Sequence, residues 1–185
     1  MERYETAIEE YEAEPEGSKE KIIYAYFGLA IYFSQSLEET FSIMLWTDRI
    51  FKKKVKTNKE VNDIIDAIEN SKRTLGNFIN EVKHSYNLPN KLETELTEIL
   101  EKRNYLVHKY FKLEIQKFFS ELGKREMIKY FCDFIDDCQR IDRELKSYYS
   151  HYTTKMGLSD ERIEQIMNEM KEEELLREKT VTNNS

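Results

Sequence analysis

Leu92-Glu93-Thr94-Glu95-Leu96-Thr97-Glu98-Ile99-Leu100-Glu101-Lys102-Arg103-Asn104-Tyr105-Leu106-Val107-His108 decides the fold, and the run continues through Lys109 to Phe119 without a glycine or a proline. Leu92, Leu96, Ile99, Leu100, Val107, Tyr110 and Phe111 recur at the spacing of one helical stripe. Charged and polar residues fill most of the positions between them. A strand would need apolar residues at every second place, and this run has none of that alternation. It reads as one long core helix, reaching Phe119 or Leu122, with Gly123 just past its C-terminus.

The same pattern extends outward on both sides. Upstream, Leu88-Pro89-Asn90 is the clearest breaker in the chain. Before it, Leu75, Phe78, Ile79 and Val82 mark a short helix, and Asn58 opens another through Ala67 and Ile68. Ser18 stands as N-cap to a long helix carrying Ile22, Ile23, Tyr26, Phe27, Ala30, Phe33, Leu37, Phe41, Met44 and Leu45. That helix ends near Phe51, where Lys52-Lys53-Lys54 oppose the negative end of its dipole. Downstream, Ile128, Phe131, Phe134, Ile135, Cys138, Ile141 and Leu145 define a helix from Met127 to Tyr149. These readings predict an all-α, up-and-down bundle of four to five helices plus a C-terminal helical tail. The organisation expected is an acidic N-terminal segment over 1–17, the bundle over 18–150, and a charged helix with a disordered end over 151–185. Within the last part, Thr180 to Ser185 is the stretch expected to be disordered.

Composition sets the outer bounds. The 185 residues suffice for one domain with a modest core. Five glycines, two prolines and 35% charged residues favour helices, and 12 tyrosines with 10 phenylalanines predict a core built on rings. A net charge of −7 argues against binding nucleic acid over the whole surface, while leaving room for a local basic groove. Cys132 and Cys138 are six apart on one helix, about 9 Å of rise, too far for a disulfide there. Reduced thiols, an acidic N-terminus without the marks of a signal peptide, and the lack of a long apolar run predict a cytoplasmic protein with no membrane span.

Chemistry concentrates within the opening stretch. Asn104 and His108 are four apart, so they share one helix face, and Arg103 lies roughly 100° around the axis. Imidazole carries protons near neutral pH. Guanidinium offers a permanent charge and a fork of donors matched to phosphate oxygens. A carboxamide can donate to phosphate or hold the imidazole in one tautomer. This set suits cleavage of RNA by its own 2′-hydroxyl: His108 moves the proton, Arg103 holds the phosphate charge and Asn104 orients. Lys102, Lys109 and Lys112 on the same stretch are candidate RNA contacts. A second basic run, Lys52, Lys53, Lys54 and Lys56, reads as a solvated helix end. Without a His-x-x-x-His, a Cys-x-x-Cys or a dense carboxylate cage, no metal site and no cofactor are expected.

Arg103-Asn104, three residues, His108, then one residue and Tyr110 resembles the signature of the HEPN superfamily, the higher eukaryote and prokaryote nucleotide-binding domains. Arg-x4-His-x-Tyr is the form found in HEPN toxins paired with nucleotidyltransferase antitoxins. The resemblance covers roughly Ser18 to Tyr149. It implies a helical bundle that forms a homodimer, and a metal-independent endoribonuclease acting as a toxin or antiphage effector, with an antitoxin or nucleotidyltransferase as partner. It implies for Tyr110 a modification site or a substrate contact; packing beside Phe111 is the other reading of that ring. Several HEPN families are not nucleases, and a non-catalytic helical interaction or nucleotide-binding module is the alternative function.

Overall fold

The computed structural model describes residues 2–183. Among them are eight α-helices and one 3-10 helix: α1 (Glu2–Ala13), α2 (Lys19–Lys53), α3 (Asn58–Glu69), α4 (Leu75–Tyr86), α5 (Asn90–His108), α6 (Tyr110–Glu114), the 3-10 helix (Ile115–Phe119), α7 (Glu121–Lys155) and α8 (Asp160–Asn183). The all-α expectation holds, with more helices than the four to five read from the periodicity.

The frame is a pair of 35-residue helices, α2 and α7, each about 52 Å long. They run parallel. Lys124 approaches Glu20 at 4.0 Å near one end, Thr40 donates to Asp142 at 2.5 Å along the middle, and the Phe51 and Tyr152 rings lie 4.6 Å apart near the other. Two shorter helices run against α7. Arg3 pairs with Asp136 and Arg125 with Glu12, which places α1 antiparallel; Lys102 to Asp137 and Arg140 to Glu95 do the same for α5. The core between them is aromatic as expected, with Tyr11, Phe41, Tyr110, Phe131 and Phe134 almost fully buried. Burying each such ring contributes up to about 3 kcal/mol.

Local signals explain most helix ends. Lys54 closes α2 in the left-handed region at φ 52°, its N–H bonded back to Ile50 and Phe51. Thr57, not Asn58, caps α3, and its side chain and that of Glu60 satisfy each other's backbone N–H groups. Ser18 precedes α2 without a side-chain capping bond. Cys132 and Cys138 are free thiols inside the core, and burial pushes both up to about 12.

Four expectations change. The N-terminal segment belongs to the bundle: Ala7 and Tyr11 are fully buried and Tyr4 and Ile8 pack against the core. Those four residues have helical spacing, but the surrounding glutamates obscure the stripe. The bundle also runs past residue 150, since α7 continues to Lys155. α8 remains helical from Thr180 to Asn183, a stretch expected to be disordered; residues 184–185 lie outside the described residues. Most relevant to function, the motif helix does not continue to Phe119.

α5 stops at His108, and Lys109 takes φ −132° and ψ −25°. No glycine or proline causes this break. Rings do. The turn at Lys109 lets Tyr110 face Phe131 at 4.9 Å, Phe111 face Phe27 at 4.8 Å and Phe118 face Tyr24 at 5.7 Å. Within α5 the buried stripe runs Leu92, Leu96, Ile99 and Leu106, so Leu106 is buried and Val107 is 41% exposed, the reverse of the sequence expectation. Gly123 sits in the first turn of α7, where its N–H donates to the Ser120 hydroxyl at 3.0 Å. A Cβ there would lie 2.3 Å from the Lys117 carbonyl oxygen, so glycine is needed for close approach rather than as a helix terminator.

Candidate functional site

The last two turns of α5 carry the site. Leu106 points into the core at one side of the helix, which leaves Asn104 and His108 on the solvent side. Both are exposed, and they line an open groove of about 470 Å³ with Glu101, Tyr105 and Lys109. No hydrogen bond or ion pair ties down the His108 imidazole among the described residues, so both ring nitrogens can meet a ligand.

Arg103 is half-buried, and its Nη1 donates to Asn104 Oδ1 at 3.2 Å. Neither Glu98 nor Glu101 pairs with it, and no other carboxylate among the described residues does. Asn104 therefore accepts from the guanidinium, where the sequence reading gave it the phosphate or the imidazole. The geometric reason is reach: adjacent residues on a helix let the long arginine fold over its neighbour. Arg103 does not line the groove. It lies roughly 140° around the helix axis from His108, so a single copy brings the imidazole and the carboxamide together and leaves the guanidinium at the side.

The three lysines differ. Lys102 bonds Asp137 at 2.7 Å across to α7. Burial opposes its charge, yet the Asp137 carboxylate prevails and holds the ammonium above its ordinary range. The sequence reading gave it to RNA; here its ammonium is engaged by Asp137 while 39% of the side chain stays exposed. Lys109 and Lys112 are exposed, and no ion pair engages either among the described residues. By contrast Lys117, Lys124 and Lys129 nearby all pair with carboxylates.

Tyr110 is a core ring. It is 2% exposed, stacked 5.2 Å from Tyr130 and edge-on to Tyr105 and Phe111. Its hydroxyl is buried without a hydrogen-bond partner, and burial raises its pKa strongly. A modifying enzyme or a substrate would have to open the bundle to reach it, so packing is the role the geometry supports.

Tyr105 was not singled out from the sequence although it lies inside the motif. Its hydroxyl donates to Glu114 at 2.6 Å, and that bond first, then burial, pushes it up to about 12. The same bond, with Lys117, holds the Glu114 carboxyl below its ordinary range. Tyr105 thus ties the end of α5 to α6 and forms one wall of the groove. Nothing at its sequence position announces this, because its partner lies beyond the unforeseen break. His84 and His151 are exposed on α4 and α7 and stand apart from the motif.

Among the described residues, no group of three or more His, Cys, Asp or Glu is placed to hold a metal ion, and no helix is long and apolar enough to cross a membrane. No protein-family model, no curated protein and no solved structure matches the chain.

Proposed function

We propose that the chain is a metal-independent endoribonuclease of HEPN type that cleaves single-stranded RNA in the cytoplasm as a homodimer, serving as a toxin or antiphage effector held in check by an antitoxin. The observation that carries this reading is the state of His108: exposed, unpartnered, and one turn from Asn104 in an open groove, with a guanidinium free of carboxylates beside them.

In the reaction, the 2′-oxygen attacks phosphorus as an imidazole takes its proton. The bond from phosphorus to the 5′-oxygen breaks, and a second proton carrier protonates that oxygen. The products are a 2′,3′-cyclic phosphate and a 5′-hydroxyl. Arg103 stabilises the extra charge on the phosphorane, an effect that can contribute several kcal/mol. One chain offers one imidazole here. A twofold arrangement supplies the second and lets the Arg103 of one copy approach the groove of the other.

The second reading, a helical interaction or nucleotide-binding module without catalysis, draws on the absence of Arg103 from the groove lining. Incubating the purified chain with single-stranded RNA in EDTA separates the two. The ribonuclease produces cyclic-phosphate ends, and His108→Ala lowers the rate by at least about 10²-fold while leaving the thermal transition in place. Cleavage undiminished in folded His108→Ala would sink the mechanism. A chain that stays monomeric at micromolar concentration in sedimentation would sink the composite site.

A further inference from the structure

Between His108 and Ser120 the chain turns a second set of side chains to solvent. Tyr110, Phe111 and Phe118 face inward, while Lys109, Lys112, Leu113, Ile115 and Phe119 are exposed. Phe119 is 83% exposed, the most open of the large apolar side chains among the described residues. Its benzyl group stands out from a short helix whose other ring, Phe118, is half-buried against the core. The two lysines that share the segment with it are also unpaired, whereas the neighbouring Lys102, Lys117 and Lys124 are each neutralised by a carboxylate.

Two kinds of partner suit exposed rings. The core of a protein interface favours aromatic residues but is depleted of lysine. A single-stranded nucleic acid needs both, because phosphates seek cations and every base offers a flat face. Free ammonium groups on the same short segment as a free ring therefore favour the second. The segment also starts at the groove. Five α-helical and five 3-10 residues separate Lys109 from Ser120, a path of about 17 Å. That is within reach of a strand whose scissile phosphate lies at His108.

We propose that the exposed side of α6 and the 3-10 helix is an RNA-binding strip that extends the His108 groove, with Phe119 stacking on a base one or more nucleotides from the cleavage point and Lys109 and Lys112 holding the intervening phosphates. This rests on the ribonuclease reading for its orientation, but its test does not require cleavage. Phe119 touches no reacting atom; its contribution is affinity and the choice of where the strand sits.

The test uses the full chain carrying Phe119→Trp and a non-cleavable 2′-O-methyl oligonucleotide, beside an abasic oligomer of the same length and charge. The native indole of Trp46 is buried at 6% exposure and supplies a constant background. The expected result is quenching of the introduced indole by the base-bearing oligomer and not by the abasic one. Lys109→Gln and Lys112→Gln should each reduce the salt slope of binding by about 0.7. In cleavage assays Phe119→Ala should raise KM by about tenfold, as expected for one lost base stack, with kcat unchanged. Absence of binding, or equal quenching by both oligomers, overturns the proposal. So does an emission already blue-shifted without oligomer and sharpening with protein concentration, which would assign the ring to contact between two copies. Base-dependent quenching without any cleavage removes the ribonuclease reading and leaves the strip standing; cleavage with Phe119→Ala at unchanged KM does the reverse.

Discussion

Tyr110 shows how one atom can be at odds with its surroundings. The ring is packed on all sides by Tyr105, Phe111, Tyr130 and Phe131, yet its buried hydroxyl lacks a partner. Leaving such a group unsatisfied costs about 1–3 kcal/mol. Tyr110→Phe keeps the ring and removes the cost, so it should raise the melting temperature by about 3 °C. A lower melting temperature in calorimetry would show that the hydroxyl finds a partner in solution. At the motif, Arg103→Ala should reduce RNA cleavage as His108→Ala does, and Arg103→Lys should restore little, because an ammonium lacks the guanidinium fork. Arg103 is half-buried, so stability is measured beside activity, and both variants should keep a cooperative thermal transition. Full activity in Arg103→Lys would show that charge alone is required. That Asn104 and His108 share one helix face was legible from spacing. The partner of Asn104 was not, since it depends on which way two neighbouring side chains fold.

At the scale of the element, the turn at Lys109 governs the site. The break lets Phe118 face Tyr24 and leaves His108 exposed at the helix end beside Lys109. Gly123 makes the return path possible by letting the Lys117 backbone come close. Gly123→Ala places a methyl group against a carbonyl, which ordinary overpacking figures put at a loss of about 1–3 kcal/mol. Chemical denaturation should show that loss, and an unchanged midpoint would mean that the 3-10 helix yields without penalty. The strain would appear next to the groove, so affinity for RNA should fall as well. Periodicity could not reveal the break because the apolar spacing of 92–119 fits an uninterrupted helix almost as well. What disrupts it is the set of ring contacts with α2 and α7, and those are tertiary.

Across the whole molecule, the two ends of the chain behave oppositely. α1 is acidic but carries Ala7 and Tyr11 into the core and pairs Arg3 with Asp136. α8 is longer, yet its described side chains are exposed apart from a partly covered Ile166, with Lys146 to Asp160 tying its start to α7. Deleting residues 160–185 should therefore leave a cooperative transition within about 2 °C of the parent. Deleting residues 1–13 should cost at least about 3 kcal/mol, the low end for emptying an aromatic site in a core. Equal melting of the two truncated proteins would place α1 outside the core. The difference between the two ends was only partly visible beforehand: few apolar anchors marked α8, but the short stripe Tyr4, Ala7, Ile8 and Tyr11 was outweighed by glutamates.

The sequence by itself determined the all-helical class, the aromatic core, the long α2 and the proximity of Asn104 to His108, because each follows from local spacing along one chain. Only the tertiary structure decided that α5 ends at His108, that Lys102 belongs to Asp137, that Tyr110 is enclosed and that Phe119 stands open to solvent. Those outcomes depend on which surfaces meet when α2, α5 and α7 pack. Helical periodicity tells how a residue is turned about its own axis, and it carries no information about what waits on the other side.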